Sequence, residues 1–279
     1  MDNNVRTIYG AYLQTCSLLG LNVNIKENST LNQKFGLFPT EIFNVGQYPT
    51  LKYITIGNGG HTASIGTDGI PLINPVPHSP RHAALYNHLP FVIREVTNDL
   101  MPAERLKYRL RTHLTIDGVN YVCYYAKVLD LSTVEPQIEL RNNTSGVITA
   151  VDFNPGLSDL NPIKPIIPVN GNITSTGNYL TCTAKVEFTM DEDEITELVN
   201  ACNIIYGNDN YAFISELGLC TGIDRTLMGN FNGEEIAYTE VVGAQVANFI
   251  STSIACNQIS TSVQLVIDVG SNESLLFNS

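Results

Sequence analysis

The sequence predicts a mainly β protein with a few short helices, its antiparallel sheets or sandwich joined by long irregular loops. Three observations carry that prediction. Several runs alternate with period two or crowd β-branched and aromatic residues together, notably 104–113, 119–129, 181–190 and 261–269. Asp117-Gly118 sits between two such runs, the strongest short-range signal for a hairpin. Charged residues make up 15% of the 279 residues, while Asn, Thr, Ser and Gly are plentiful. That balance suits short strands and turns better than long helices.

From the N-terminus, Val5–Leu19 reads as a helix. Ile8, Tyr12 and Leu19 share one face, and Gly20 is placed to stop it. Residues 22–50 look irregular, so 1–50 is expected to be a helix and an arm. Leu51–Ile56 is a strand that runs into Gly57-Asn58-Gly59-Gly60-His61, read as a turn whose glycines take positive φ. A second glycine turn follows at Gly66-Thr67-Asp68-Gly69. Pro71, Pro75, Pro77 and Pro80 then hold the chain extended. A stretch without a ladder of its own has to be ordered by neighbours, so residues 57–90 are expected to touch other subunits.

Pro102-Ala103-Glu104-Arg105 carries proline near a first turn. A short turn at 101–104 is expected, then a strand with Arg105, Lys107, Arg109 and Arg111 along one basic face. Asp117-Gly118 joins Tyr108–Ile116 to Val119–Leu129. Residues 51–153 thus form a β-rich domain with a long Gly/Pro loop. Residues 154–177, with four prolines, read as a linker. Residues 178–279 form an acidic β-rich domain, where Arg225 is the only basic residue after Lys185 against fourteen acids. Within it, Thr181–Met190 is a strand, and Asp191-Glu192-Asp193-Glu194 opens a helix that ends before Gly207. Ala212–Cys220 is a strand followed by a glycine turn. Asn232-Gly233 is another turn, and Tyr238–Ile254 and Thr261–Val269 are further strands.

The formal charge of −12 argues against nucleic acid or an anionic membrane as partner. No apolar run approaches about 20 residues, and MDNNVRTIYG lacks a secretory pattern. The six cysteines stand singly without CxxC and read as reduced, buried thiols. His78 and His82 are four apart, which is ligand spacing on a helix, but Pro80 lies between them. The stretch Gly57–Gly60 has no phosphate-loop pattern, and Asp191–Glu194 has no calcium-loop spacing. No catalytic, metal or cofactor residue is nominated. His61, His78, Arg81, His82 and His88 read as loop and interface residues. The stripe Arg105, Lys107, Arg109 and Arg111 reads as a face that steers docking onto an acidic surface.

Three stretches together carry a resemblance: KYITIGNGGHTASIGTDGIP from Lys52, LYNHLPFVIREVTNDLMPAERLKYRLR from Leu85, and FISELGLCTGID from Phe213. They resemble an uncharacterised group of virion structural proteins of contractile-tailed bacteriophages. The stretch ISELGLCTGID is similar to a phrase common in tail-fibre and baseplate proteins, and the hairpin DGVNYVCYYAKVLDL resembles those of baseplate wedge subunits. The resemblance implies a non-enzymatic structural subunit of a phage tail, in the baseplate, which pairs loops and edge strands with other phage proteins and with copies of itself. It carries over no catalytic residue and no cofactor. Two rivals stand beside it: a neck, collar or capsid-associated position, and a hydrolase with a cryptic His/Asp site.

Overall fold

The computed structural model describes residues 4–40, 44, 46–65, 71–164, 177–231, 233–259 and 261–275. Its strands are β1 (Asn4–Arg6), β2 (Thr50–Gly57), β3 (His61–Ile65), β4 (Pro71–Pro75), β5 (His88–Leu89), β6 (Val92–Glu95), β7 (Tyr108–Ile116), β8 (Val119–Val128), β9 (Gln137–Thr144), β10 (Val147–Asp152), β11 (Tyr179–Met190), β12 (Phe213–Phe231), β13 (Glu234–Ala255) and β14 (Val263–Ser274). Its helices are α1 (Ile8–Leu19), α2 (Leu31–Phe35), α3 (Pro102–Arg105), α4 (Leu157–Leu160) and α5 (Glu192–Tyr206). The protein is mainly β, with antiparallel sheets and five short helices, the class that the alternation and turn chemistry predict.

The chain divides into two compact units. Unit 1 holds Met1–Leu129 and Thr189–Val263; unit 2 holds Asp130–Phe188 and Gln264–Ser279. Each unit therefore joins stretches distant in sequence, and the stretch 154–177 falls within unit 2. Residues 165–176, the Gly66–Gly69 turn and Asn232 lie outside the described residues.

Unit 1 is organised by an eight-stranded sheet in the order β1-β13-β12-β2-β8-β6, with β5 on β2 and β7 on β8. Asp117 and Gly118 both take positive φ, as a two-residue hairpin turn between β7 and β8 requires. The strand expected at Ala212–Cys220 does not stop at a glycine turn. β12 runs on through Gly222 to Phe231 and pairs with β13 over almost its whole length. The physical reason is close packing: a Cβ on Gly222 would sit 2.3 Å from Val241 Cγ2. Tyr53, Leu85, Ile93, Leu110, Cys123, Val246 and Phe249 form the buried core behind this sheet.

The helices close the sheet through polar contacts as well as apolar ones. Thr7 caps α1, accepting from Gly10 N–H, and its own hydroxyl donates to Val246 O on β13 at 2.6 Å. The arm read as irregular contains α2, opened by a capping box in which Thr30 and Gln33 satisfy each other's N–H groups. Buried Asn32 follows. Its amide donates to Val241 O and accepts from Ala244 N–H, where β13 loses register and Gly243 turns to positive φ. The side chain thus supplies the partners that the bulge removes from the ladder. Helix α5 starts as expected, with an Asp191/Glu194 capping box and Gly207 in the left-handed conformation at its end.

Unit 2 is a four-stranded sheet in the order β10-β9-β11-β14. Its described core is small: Val186, Phe188 and Ile267 are buried. The stretch after Asn154, read as loop, contains the single helical turn α4. All six cysteines are free, and five are buried. Burial pushes the thiols of Cys123, Cys202 and Cys220 up to about 12, so they stay protonated and unreactive.

Candidate functional site

Gly59, Gly60, His78, Tyr86 and Asn87 are held from within their own chain, and a single carboxylate does most of the holding. Glu216 lies on β12, fully buried at 0% exposure. One oxygen, Oε1, accepts from Gly59 N–H at 2.9 Å and Asn87 N–H at 3.0 Å. The other, Oε2, accepts from Tyr86 N–H at 3.0 Å and faces His78 Nε2 at 2.7 Å. Neighbouring Ser215 accepts from Gly60 N–H. An isolated buried carboxylate is costly, whereas one that accepts four hydrogen bonds is held firmly.

This contact explains the glycines. Gly57, Gly59 and Gly60 do not take positive φ, contrary to the turn expected of them. They are needed for space. A Cβ on Gly59 would lie 2.7 Å from Asn87 N, one on Gly60 2.9 Å from Glu216 Cβ, and one on Gly57 2.7 Å from Glu216 Oε1. The glycine run is a cradle for a carboxylate of the same chain.

His78 is buried between the rings of Phe249 and Tyr86, with centroids 3.8 and 4.2 Å away. His82 comes back to meet it. A β-turn closed by His82 N–H to Ser79 O, with Pro80 at its second position, brings the two Nδ1 atoms within 3.1 Å. Proline thus keeps this stretch out of a helix, as expected, and the turn it favours brings the two rings together. The nitrogens face each other and leave no common point for a metal. Burial, the first cause, and the neighbouring His78 and Arg81 lower the pKa of His82. His88 is buried apart from this pair and accepts Leu85 N–H on Nε2. Burial, with Lys34 and His78 nearby, pushes it down to about 3. His61 packs its ring edge against Phe213. Arg81 is exposed. His78 and His88 are therefore interior groups, unavailable to a partner in the closed fold.

The basic stripe is wired into unit 1. Arg105 and Arg111 both bind Asp99, at 2.6 and 2.7 Å, and Tyr124 donates to the same carboxylate. Burial alone would raise the pKa of Asp99, but Tyr124 and Arg111 bring it below the usual carboxylate range. Arg109 pairs with Asp224 at 3.0 Å, and Lys107, the exposed member, reaches Glu194 at 3.7 Å. Two of the acids beyond Lys185 thus meet the stripe inside one chain. Close by, Glu240 is buried with no partner for Oε2, and burial raises its pKa to about 8 against the pull of Arg111.

The Glu216 cradle also shapes an open cleft of about 560 Å³, a size typical of small-ligand sites. Its walls are Asn58 and Asn87 beside the Glu216 carboxylate, His61 and Ile73 from the β3–β4 ribbon, Asn208, Asn210 and Tyr211 ahead of β12, and Phe213 at its start. Asn87 donates to Asn58 Oδ1 and to the Tyr206 hydroxyl, and Asn58 donates to Tyr211 O. Tyr211 stacks on Tyr206 with centroids 4.5 Å apart. No Asp, Glu, Lys or Arg lines this cleft among the described residues. Sequence reading gave His61 as a contact residue but missed the asparagines, whose only signal was Asn-Asp-Asn-Tyr directly before a strand.

Fold and site together define a two-unit antiparallel β protein with a buried carboxylate cradle beside an open cleft. The chain belongs to a family of unknown function, DUF7208, whose model matches residues 1–279. No curated protein matches it, and no solved structure does.

Proposed function

We propose that this chain is a non-enzymatic structural subunit of a bacteriophage virion, a component of the tail baseplate that assembles through edge strands and loops. The observation that supports the reading is the edge of unit 2. β10 pairs on one side with β9 and, among the described residues, has no strand on the other. All six of its residues are exposed, with Val147 at 65%, Ile148 at 51% and Val151 at 57%. Val147 and Val151 point to one face and Ile148 to the other. An apolar edge open on both faces promotes strand addition and aggregation unless another chain covers it. Ile138 on β9 and Val266 on β14 extend the exposed apolar surface across the same small sheet. Three buried apolar side chains among the described residues are little for such a sheet, so a neighbouring subunit would complete what it lacks.

Two measurements test the reading. Mass spectrometry of purified tailed particles should find this chain in fixed stoichiometry with known tail proteins; its absence from the particles would overturn the virion reading. Val147→Lys with Val151→Lys should leave the isolated subunit folded yet block its incorporation. Normal incorporation of that variant would remove β10 as the assembly edge.

A further inference from the structure

We infer that the cleft between the glycine segment and the start of β12 binds a neutral carbohydrate. The inference concerns unit 1 alone and does not depend on how subunits assemble.

The open valences of the cleft define the ligand. Asn87 spends both amide hydrogens on Asn58 and Tyr206, and its Oδ1 has no partner among the described residues. Asn208 uses its oxygen to cap Asn210 N–H, and Asn210 uses its oxygen to accept from Asn257; the Nδ2 group of each has no partner. His61 contributes its ring to the wall, packed on Phe213. The cleft therefore offers amide donors and acceptors side by side, in a wall that holds no Asp, Glu, Lys or Arg among the described residues. An apolar ligand would bury these groups unpaired, at about 1–3 kcal/mol each. A phosphate or carboxylate ligand would meet no cation in the wall of a chain whose net charge is −12. Hydroxyl groups, which donate and accept, satisfy such a set.

The aromatic part supplies the second half of the recognition. Tyr211 is half exposed and has one ring face backed by Tyr206, which leaves the other face for the C–H side of a sugar ring. Phe213 and Ile73 add apolar wall. The donors are also preorganised. Asn58 and Asn87 brace each other, and the Glu216 carboxylate fixes the backbone beside them through Gly59 and Asn87 N–H. Groups held in place before binding lose less freedom on binding, which favours an open, polar site.

The test uses the full chain, labelled with ¹⁵N, and millimolar maltotriose, cellotriose and N,N′,N″-triacetylchitotriose, with trigalacturonic acid as the acidic counterpart. At least one neutral trisaccharide should shift the side-chain amide signals of Asn58, Asn208 and Asn210. Tyr211→Ala should weaken that binding at least tenfold, whereas Tyr211→Phe, which keeps the ring face, should hold it within about threefold. Failure of all three neutral sugars to shift those amides would overturn the inference. So would binding of the acid alone, or full affinity in Tyr211→Ala. The amide shifts are read on the unaltered protein, so the outcome stands even where a variant unfolds.

Discussion

Removal of the Glu216 carboxylate should release the stretches around Gly59 and 78–87 while the sheet beneath them persists. In Glu216→Ala, the N–H groups of Gly59, Tyr86 and Asn87 lose their acceptor, and His78 Nε2 loses its partner. Each unsatisfied buried donor costs about 1–3 kcal/mol. Water can reach the exposed side of Tyr86 and Asn87, which relieves part of that cost. A loss of about 3–6 kcal/mol is expected, a large share of the roughly 5–15 kcal/mol that holds a domain folded. Glu216→Gln should cost less, about 2–3 kcal/mol, because an amide oxygen can still serve Gly59 and Asn87 while its NH₂ group opposes Tyr86 N–H. Urea titration gives the global loss. Hydrogen exchange gives its location, with the amides of Gly59, Tyr86 and Asn87 losing protection first and those of β8 last. A loss under about 1 kcal/mol in Glu216→Ala, or unchanged protection at those three amides, would refute the view that this carboxylate holds these stretches.

Glu240 should make the protein less stable as pH rises. Its carboxyl is neutral in both states below the usual 4.5, and between there and about 8 only the unfolded chain ionises. About 3 kcal/mol is lost by pH 7, so Glu240→Gln should be more stable than the parent at pH 7 and show a flatter profile from pH 5 to 8; parallel profiles would refute this. His88 works in the opposite sense. Its folded pKa of about 3 lies below the usual 6.5, so its contribution is complete above pH 6.5 and falls by about 2 kcal/mol at pH 5. Imidazole ¹⁵N spectra should show His88 neutral down to pH 4, and titration near 6.5 would contradict the buried, neutral ring. Arg111→Glu sets an acid beside Asp99 and should cost about 2–3 kcal/mol, whereas exposed Lys107→Glu should cost less than about 1 kcal/mol. Equal melting temperatures for the two variants would return the stripe to the surface.

The sequence revealed local structure where local chemistry decides it. Asp117-Gly118 fixed one hairpin, and the acids at 191–194 with Gly207 bounded α5. The capping box Thr30-Leu31-Asn32-Gln33 was an overlooked local signal for α2. Gly222 and the Gly57–Gly60 run misled because a glycine can serve either positive φ or close approach, and only the opposing strand tells which. The lone acid in FISELGLC was the available clue to the Glu216 cradle, since an unpaired carboxylate in an apolar strand needs donors from elsewhere. Those donors lie 129 to 157 positions away, beyond any local pattern. The partners of the arginine stripe were hidden for the same reason: Asp224 and Glu194 are its neighbours in space and not in sequence.

That separation has a consequence for synthesis. Gly59 leaves the ribosome 157 residues before the carboxylate that holds it, and β2 emerges long before its partner β12. At about 5–20 residues per second, the glycine segment and one edge of β2 wait roughly 8–30 s for their partner strand. During that interval the nascent chain carries the apolar strand Tyr53-Ile54-Thr55-Ile56 with an open edge, while the ribosome is still making the residues that will cover it. Ribosome-bound chains halted before residue 213 should therefore bind hold-type chaperones over 50–57 and release them once β13 is complete. The production of this protein in active form thus depends on what shelters its first strand while the rest is being made.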